Sequence, residues 1–164
     1  MSSNPAAPAD PAGEADFGIL LALAYRSYVD HLHAELAERG FVPVRSAFGP
    51  VLRALSGRDG TLTGLARDLD VSKQAAGRVV DDMREAGLVT QRDDPSDGRA
   101  RLLTLTERGE AMVAAAVAIG AAYEQALAAG LGRERAAALR EGLEHSVARA
   151  GDGSALAARR VRGI

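Results

Sequence analysis

The sequence has no cysteine, no tryptophan and a single lysine, Lys73. Without cysteine there are no disulfides, no thiol redox sensing and no Cys-ligated zinc. Aromatic residues make up only 4% of the 164 residues, so a core must be built mainly from Ala, Leu and Val. A strong charge of one sign is also missing: the formal net charge is −2. That removes bulk basicity as a pointer to nucleic acid, although a local basic patch can still bind it. The opening MSSNPAAPADPAGEAD has no basic start and no apolar run, so no signal peptide is expected. The apolar stretch Met112–Ala122 is too short for a membrane span, and none is expected. There is no G-x-S-x-G, no phosphate-cradling glycine loop and no H-E-x-x-H, so the chain is not expected to be an enzyme. His31 and His33 stand at i, i+2 and point to different sides of a helix. No metal site and no cofactor are expected.

What is present is mostly helix-forming: Ala, Leu, Arg and Glu dominate. Residues 1–14 are rich in Pro, Ala and Ser and predict a disordered tail. Phe17, Leu20, Leu21, Ala24, Tyr28, Leu32 and Leu36 then recur at helical spacing, with Asp16 as a cap and Gly40 past the end. After Pro43 a second helix is expected near Ser46–Ser56, with Phe48, Val51, Leu52 and Leu55 on one side. "TLTGLARDLDVSKQAAGRVVDDMREAGLV" predicts a strand stub, a short helix capped by Thr63, a tight turn at Asp70 and a second helix from Ser72 to about Ala86. From Gly87 the period becomes two, and "LVTQR" and "ARLLTLT" predict a two-stranded hairpin. Thr106 opens a long Ala-rich helix to about Ala129. "GLG" interrupts it, and Arg133–Arg149 form a last helix before the basic residues 151–164.

The order helix, turn, helix, hairpin is that of a DNA-binding unit in which the second helix enters the major groove. On that helix Val71, Ala75, Val79 and Met83, widened by Ala76 and Val80, are expected to face inward. Gln74, Gly77 and Arg78 share the other face, with Ser72 and Lys73 at its start. Gln can pair with adenine, and Arg or Lys with guanine. Free N–H groups at the helix start suit a phosphate. Gly77 costs about 1 kcal/mol relative to Ala in mid-helix, which close approach to DNA would explain. Asp81 and Asp82 oppose a DNA face mildly.

"LARDLDVSKQAAGRVVDDMREAGLV" followed by "DPSDGRARLLTLTERG" resembles the winged helix-turn-helix regulators of the MarR (multiple-antibiotic-resistance regulator) family. The resemblance spans roughly residues 16–149 and is sharpest over 61–109. It implies that the loop between the strands is the wing, with its D-x-R motif at Asp97, Gly98 and Arg99. Arg99 would then enter the minor groove, Asp97 would hold its guanidinium, and Arg101 would meet a backbone phosphate. A narrow minor groove does attract arginine, and a carboxylate two residues away can orient the planar fork. Many family wings carry D-R-R; here Gly98 removes one charge, and Asp93 and Asp94 make the wing less basic.

The resemblance also implies a fold that is mainly α with a small β-hairpin wing: a winged helix-turn-helix (58–106) between N-terminal helices (15–57) and C-terminal dimerisation helices (107–150). A homodimer would read a pseudo-palindromic double-stranded operator as a cytoplasmic repressor. Family members often release DNA when a small aromatic or anionic molecule binds. Tyr25, Tyr28, His31, Phe48 and Arg53 are the candidates for such a pocket, or are ordinary core and interface residues. A protein-interaction module without DNA is the alternative function.

Overall fold

The computed structural model describes residues 16–93 and 101–149. Its elements are α1 (Phe17–Glu38), α2 (Phe48–Leu55), β1 (Gly60–Thr61), α3 (Leu62–Asp68), α4 (Lys73–Glu85), β2 (Val89–Asp93), β3 (Arg101–Leu105), α5 (Glu107–Leu131) and α6 (Arg133–Arg149). The chain divides after Ala115 into two compact units.

The first unit holds the helix-turn-helix and the sheet. Asp16 caps α1 by accepting from the Gly18 N–H at 2.8 Å. Gly40, at φ +84°, ends it, and the Phe41 N–H returns to the Leu36 carbonyl at 3.0 Å. That is the left-handed helix stop that glycine permits. Leu36 is the one buried residue of α1. By contrast α2 buries Phe48, Val51, Leu52 and Leu55, the i, i+3, i+4, i+7 stripe legible in the sequence. Phe48 therefore belongs to the core.

The cap of α3 is Thr61, not Thr63: the Thr61 hydroxyl accepts from the Gly64 N–H at 3.1 Å, and Thr63 is exposed. Asp70 takes φ +54° in the turn, as its place between the helices requires. Ser72 caps α4 by accepting from the Ala75 N–H at 3.1 Å. Gly87, at φ +69°, ends α4, and the Leu88 N–H closes on the Met83 carbonyl.

The sheet has three strands in the order β1-β3-β2, all antiparallel, rather than the two expected. Gly60 and Thr61 pair with Leu103 and Leu102 and add the third strand to the hairpin. Val89 and Gln91 face Leu105 and Leu103 on the core side, and Thr90 and Arg92 alternate to the outer side. The core of this unit comprises the α2 stripe, Leu65 and Ala66 of α3, Ala76, Val80 and Met83 of α4, and Leu88, Val89, Leu103, Leu105 and Met112.

The start of α5 is locked to the sheet. Thr106 donates its hydroxyl to the Gly87 carbonyl at 2.6 Å, and the same oxygen accepts from the Gly109 N–H at 3.0 Å. Arg108 donates to the Gly40 carbonyl at 2.7 Å and lies 5.3 Å over the Phe41 ring, tying this turn to the end of α1. Among the described helices α5 alone is long and apolar enough to cross a membrane, and it is longer than the run that argued against a span. Gly109 and Met112, however, are buried in the winged unit, so its first turns are core helix.

In the second unit α5 continues through Gly130 to Leu131, two residues past the expected end, and Gly132 at φ +86° turns the chain into α6. Arg140 of α6 donates to Glu124 of α5 at 2.6 Å, which raises the Arg140 pKa. No residue of α6 is buried.

Candidate nucleic-acid interface

The second helix of the helix-turn-helix, α4, is anchored by Ala76, Val80 and Met83. Val71 and Ala75, expected inward, are exposed, Val71 by 44%. The inward face is thus rotated toward Ala76 and away from the predicted stripe. Val71 precedes the Ser72 cap and Ala76 is four positions into the helix, the spacing of a hydrophobic staple. The rotation leaves Lys73, Gln74, Ala75 and Arg78 exposed over the first turns. Neither Lys73 nor Arg78 has an ion-pair partner among the described residues. Ser72, at the same end, has its hydroxyl occupied by the cap.

Asp81 and Asp82 carry less of the expected penalty. Asp82 accepts from Arg45 at 2.6 Å and Asp81 from Arg84 at 3.5 Å, so each has a cation beside it. Both pairs are well exposed and contribute about 0–1 kcal/mol each to stability. Their consequence is electrostatic: the carboxylates are screened where the helix leaves its first turns.

Gly77 lies half-buried on the flank of α4 that faces α3, not at the centre of the exposed face. A Cβ built there would meet Leu62 Cδ2 at 3.9 Å, an ordinary contact. Nothing within the described protein therefore demands a glycine at this position. Gly77→Ala is expected to stabilise the fold by about 1 kcal/mol, the helix-propensity difference. Thermal melting checks the gain. A melting point below wild type would mean that Leu62 cannot accept the methyl. If DNA approaches this flank closely, the same variant will bind its operator more weakly despite being more stable.

On the sheet, Arg101 starts β3 and is exposed, opposite Asp93 in the register. Asp97 and Arg99 lie outside the described residues. The structure adds a group that the sequence did not single out. Asp59, in the turn before β1, accepts from the Thr104 hydroxyl at 2.7 Å and from the Arg92 guanidinium through its other oxygen. The Thr104 hydrogen bond, with Arg92 behind it, holds the Asp59 pKa below the usual carboxylate range. Partners 33 and 45 residues away leave no trace in local spacing.

The five residues considered for a ligand pocket do not form one group. Phe48 is 1% exposed within the core, which removes it from any lining. Tyr25 is 70% exposed, His31 and Arg53 are exposed, and Tyr28 is half-buried. The two best-formed hollows among the described residues contain none of them: one lies on α6 around Gly142 and His145, the other between Phe41, Pro43, Leu88 and Met112. Glu35, one turn beyond His31, is engaged by Arg39 at 2.7 Å, which lowers its pKa. Among the described residues no three His, Asp or Glu side chains converge as a metal-ligand set.

Comparison with known proteins places this geometry. A family model described as the MarR family matches residues 49–100, the segment from α2 through the helix-turn-helix and past β2. No curated protein sequence matches the chain. Among solved structures, the transcriptional repressor CouR bound to a 23-mer DNA duplex is 27% identical, over 81% of this chain and 92% of that one, with a TM-score of 0.63. The reduced form of MarR from E. coli is 24% identical, over 82% and 98% of the two chains, with a TM-score of 0.66. An S. aureus MepR mutant bound to an oligodeoxyribonucleotide is 18% identical, over 83% and 99%, with a TM-score of 0.60. The last two share the fold with this chain.

Proposed function

We propose that the chain, which a MarR family model matches over residues 49–100, is a winged-helix transcriptional regulator of that family: a cytoplasmic, homodimeric repressor that binds a pseudo-palindromic double-stranded operator. One observation carries the reading: Lys73, Gln74 and Arg78 stand exposed on the first turns of α4, with both cations unpaired among the described residues. Two features of related structures support it, since CouR and the MepR mutant are described as bound to DNA.

The division of labour follows from groove chemistry. Gln74, Lys73 and Arg78 read base edges in the major groove, where a good bidentate pair discriminates by about 1–3 kcal/mol. Arg101 meets a phosphate, and Arg99, supported by Asp97, enters the minor groove beside the recognition helix. Phosphate contacts supply much of the affinity and make it fall steeply with salt. Two such lobes in a two-fold dimer reach half-sites about one helical turn apart. A small aromatic or anionic effector would act by favouring a dimer with misplaced recognition helices.

Footprinting on DNA upstream of the protein's own gene tests this reading. Wild type is expected to protect a pseudo-palindromic site. Arg78→Ala is expected to weaken operator binding by about two to four orders of magnitude, the cost of one lost base contact in each of two half-sites at about 1–3 kcal/mol apiece, and to relax sequence preference at one position in each half-site. Arg99→Ala is expected to abolish the footprint. Absence of any specific footprint by wild type across a salt series would sink the DNA reading. Capture of a defined protein partner through the same face would then favour an interaction module.

A further inference from the structure

The cations of the recognition helix and sheet fall into two groups. Lys73, Arg78 and Arg101 have no ion-pair partner among the described residues, whereas Arg84 is held by Asp81 and Arg92 by Asp59. Arg84 and Asp81 are neighbours on one helix, and their pairing is local. Arg92 is different. It lies on the outer side of β2, one residue before the strand ends at Asp93, on the hairpin that forms the base of the wing. An exposed arginine there carries the charge that a phosphate contact needs, yet it is engaged by a carboxylate 33 residues earlier in the chain.

Stability does not account for that engagement. Both side chains are substantially exposed, at 51% for Arg92 and 31% for Asp59, and such pairs contribute little. The arrangement of the acceptor is the informative part. Thr104 of β3 donates to Oδ1 of Asp59 while Arg92 uses Oδ2, so both carboxylate oxygens are committed. Gly60, the next residue, is itself fixed by pairing with Leu103. The carboxylate is therefore oriented by two strands before any DNA arrives, and a charge-assisted bond to a prepared acceptor is the kind that competes well.

We propose that Asp59 competes with DNA phosphate for Arg92 and so sets the strength and salt dependence of DNA binding. It withdraws one sequence-independent contact from the wing side of the interface and leaves the base-reading residues Lys73, Gln74 and Arg78 free. Phosphate contacts position a protein on DNA but carry no sequence information. Removing one lowers affinity for operator and unrelated duplexes alike and makes both less sensitive to salt. The inference rests on the DNA-binding reading above.

The test is a salt titration of binding by the full chain to its operator and to an unrelated duplex. Wild type, Asp59→Asn, Arg92→Gln and the double variant are compared. Each phosphate neutralised adds about 0.9 to the slope of log affinity against log salt. Asp59→Asn is expected to tighten binding to both duplexes and to steepen the slope by about that amount per protomer. Arg92→Gln is expected to leave the wild-type slope unchanged, and the double variant to return to it. A purely structural role for Asp59 predicts weaker binding and no steepening. The proposal is overturned if Asp59→Asn leaves the slope unchanged, or if Arg92→Gln lowers it, because Arg92 would then already be on phosphate. Should Asp59→Asn fail to fold in thermal melts, Asp59→Ser carries the same expectation of a steeper slope and the same refutation. Wild type binding no duplex would overturn the DNA reading as well. Normal wild-type binding with flat variant slopes overturns this inference only.

Discussion

Replacing Gly109 with alanine is expected to destabilise the protein by about 3 kcal/mol, at or above the upper end of ordinary overpacking. Gly109 is buried in the first turn of α5. A Cβ there would lie 2.2 Å from the Leu88 carbonyl oxygen, 3.2 Å from its carbon and 3.3 Å from Leu105 Cβ. The obstacle is backbone, so no rotamer change relieves it. Nor can the carbonyl swing away freely, because it accepts from the Thr106 N–H at 3.0 Å at the junction of helix and sheet. Relief requires α5 to move off the lobe, breaking the Thr106 cap and the Arg108 contact with Gly40. Against a typical stability of about 5–15 kcal/mol this is a large fraction. A melting-temperature loss on the order of 10 °C is expected. Gly130→Ala is the control: nothing lies within 4 Å of its Cβ position, and it is expected to be neutral or stabilising by up to about 1 kcal/mol. Equal melting points for the two variants would refute the close-approach argument.

Gly109 also illustrates what the sequence could and could not convey. As the last residue of "LTERG" it was visible as part of a family motif, but without a physical reason. The reason is the Leu88 carbonyl, 21 positions away along a chain that passes through the wing. Features fixed by local chemistry were legible: the Asp16 and Ser72 caps, the left-handed turn at Asp70, the stop at Gly87 and the buried stripe of α2. Where two local solutions overlap, periodicity drew the inward face too wide. In α4, the stripe Val71, Ala75, Val79 and Met83 and the stripe Ala76, Val80 and Met83 share apolar residues and differ by one position. Packing in the lobe selected the second. Thr61 and Thr63 are both able caps, and only the extended backbone at Thr61 decides between them.

The features that were not legible are those made by long-range pairing. A strand stub was legible where β1 lies, but its pairing with Leu102 and Leu103 of β3 was not. The Asp59 cluster joins a turn to two strands that pattern analysis treated separately. The charge problem posed by Asp82 was likewise unanswerable from the sequence, because Arg45 reaches it from before α2. In each case the local sequence supplied the residue, and the tertiary fold supplied the partner that gives it a role.

For the proposed homodimer, Leu139→Asp combined with Leu143→Asp is expected to give a monomer and to weaken operator binding by about two to four orders of magnitude. The size follows from the effective concentration that a second linked lobe provides. The physical case begins with α6 itself. None of its 17 residues is buried, yet Leu139, Leu143 and Val147 recur at i, i+4 and i+8 and are 46%, 45% and 38% exposed. Helices of this length draw most of their stability from packing an apolar face, and an exposed apolar stripe marks an interaction surface. α1 poses the same problem, with Phe17, Ile19, Leu20, Leu21 and Leu23 all exposed. A second copy meeting these faces through a two-fold axis would cover them self-complementarily. An aspartate in such an interface must be buried without a partner or keep the copies apart, and desolvating it costs several kcal/mol. A monomer is not expected to lose its fold, because neither leucine is buried within the single chain. Light scattering after gel filtration reads the oligomeric state, circular dichroism checks the helices, and operator titration reads the affinity. A variant that stays dimeric would remove α6 from the interface. A well-folded monomer that binds the operator as tightly as wild type would show that the two lobes do not act together on DNA.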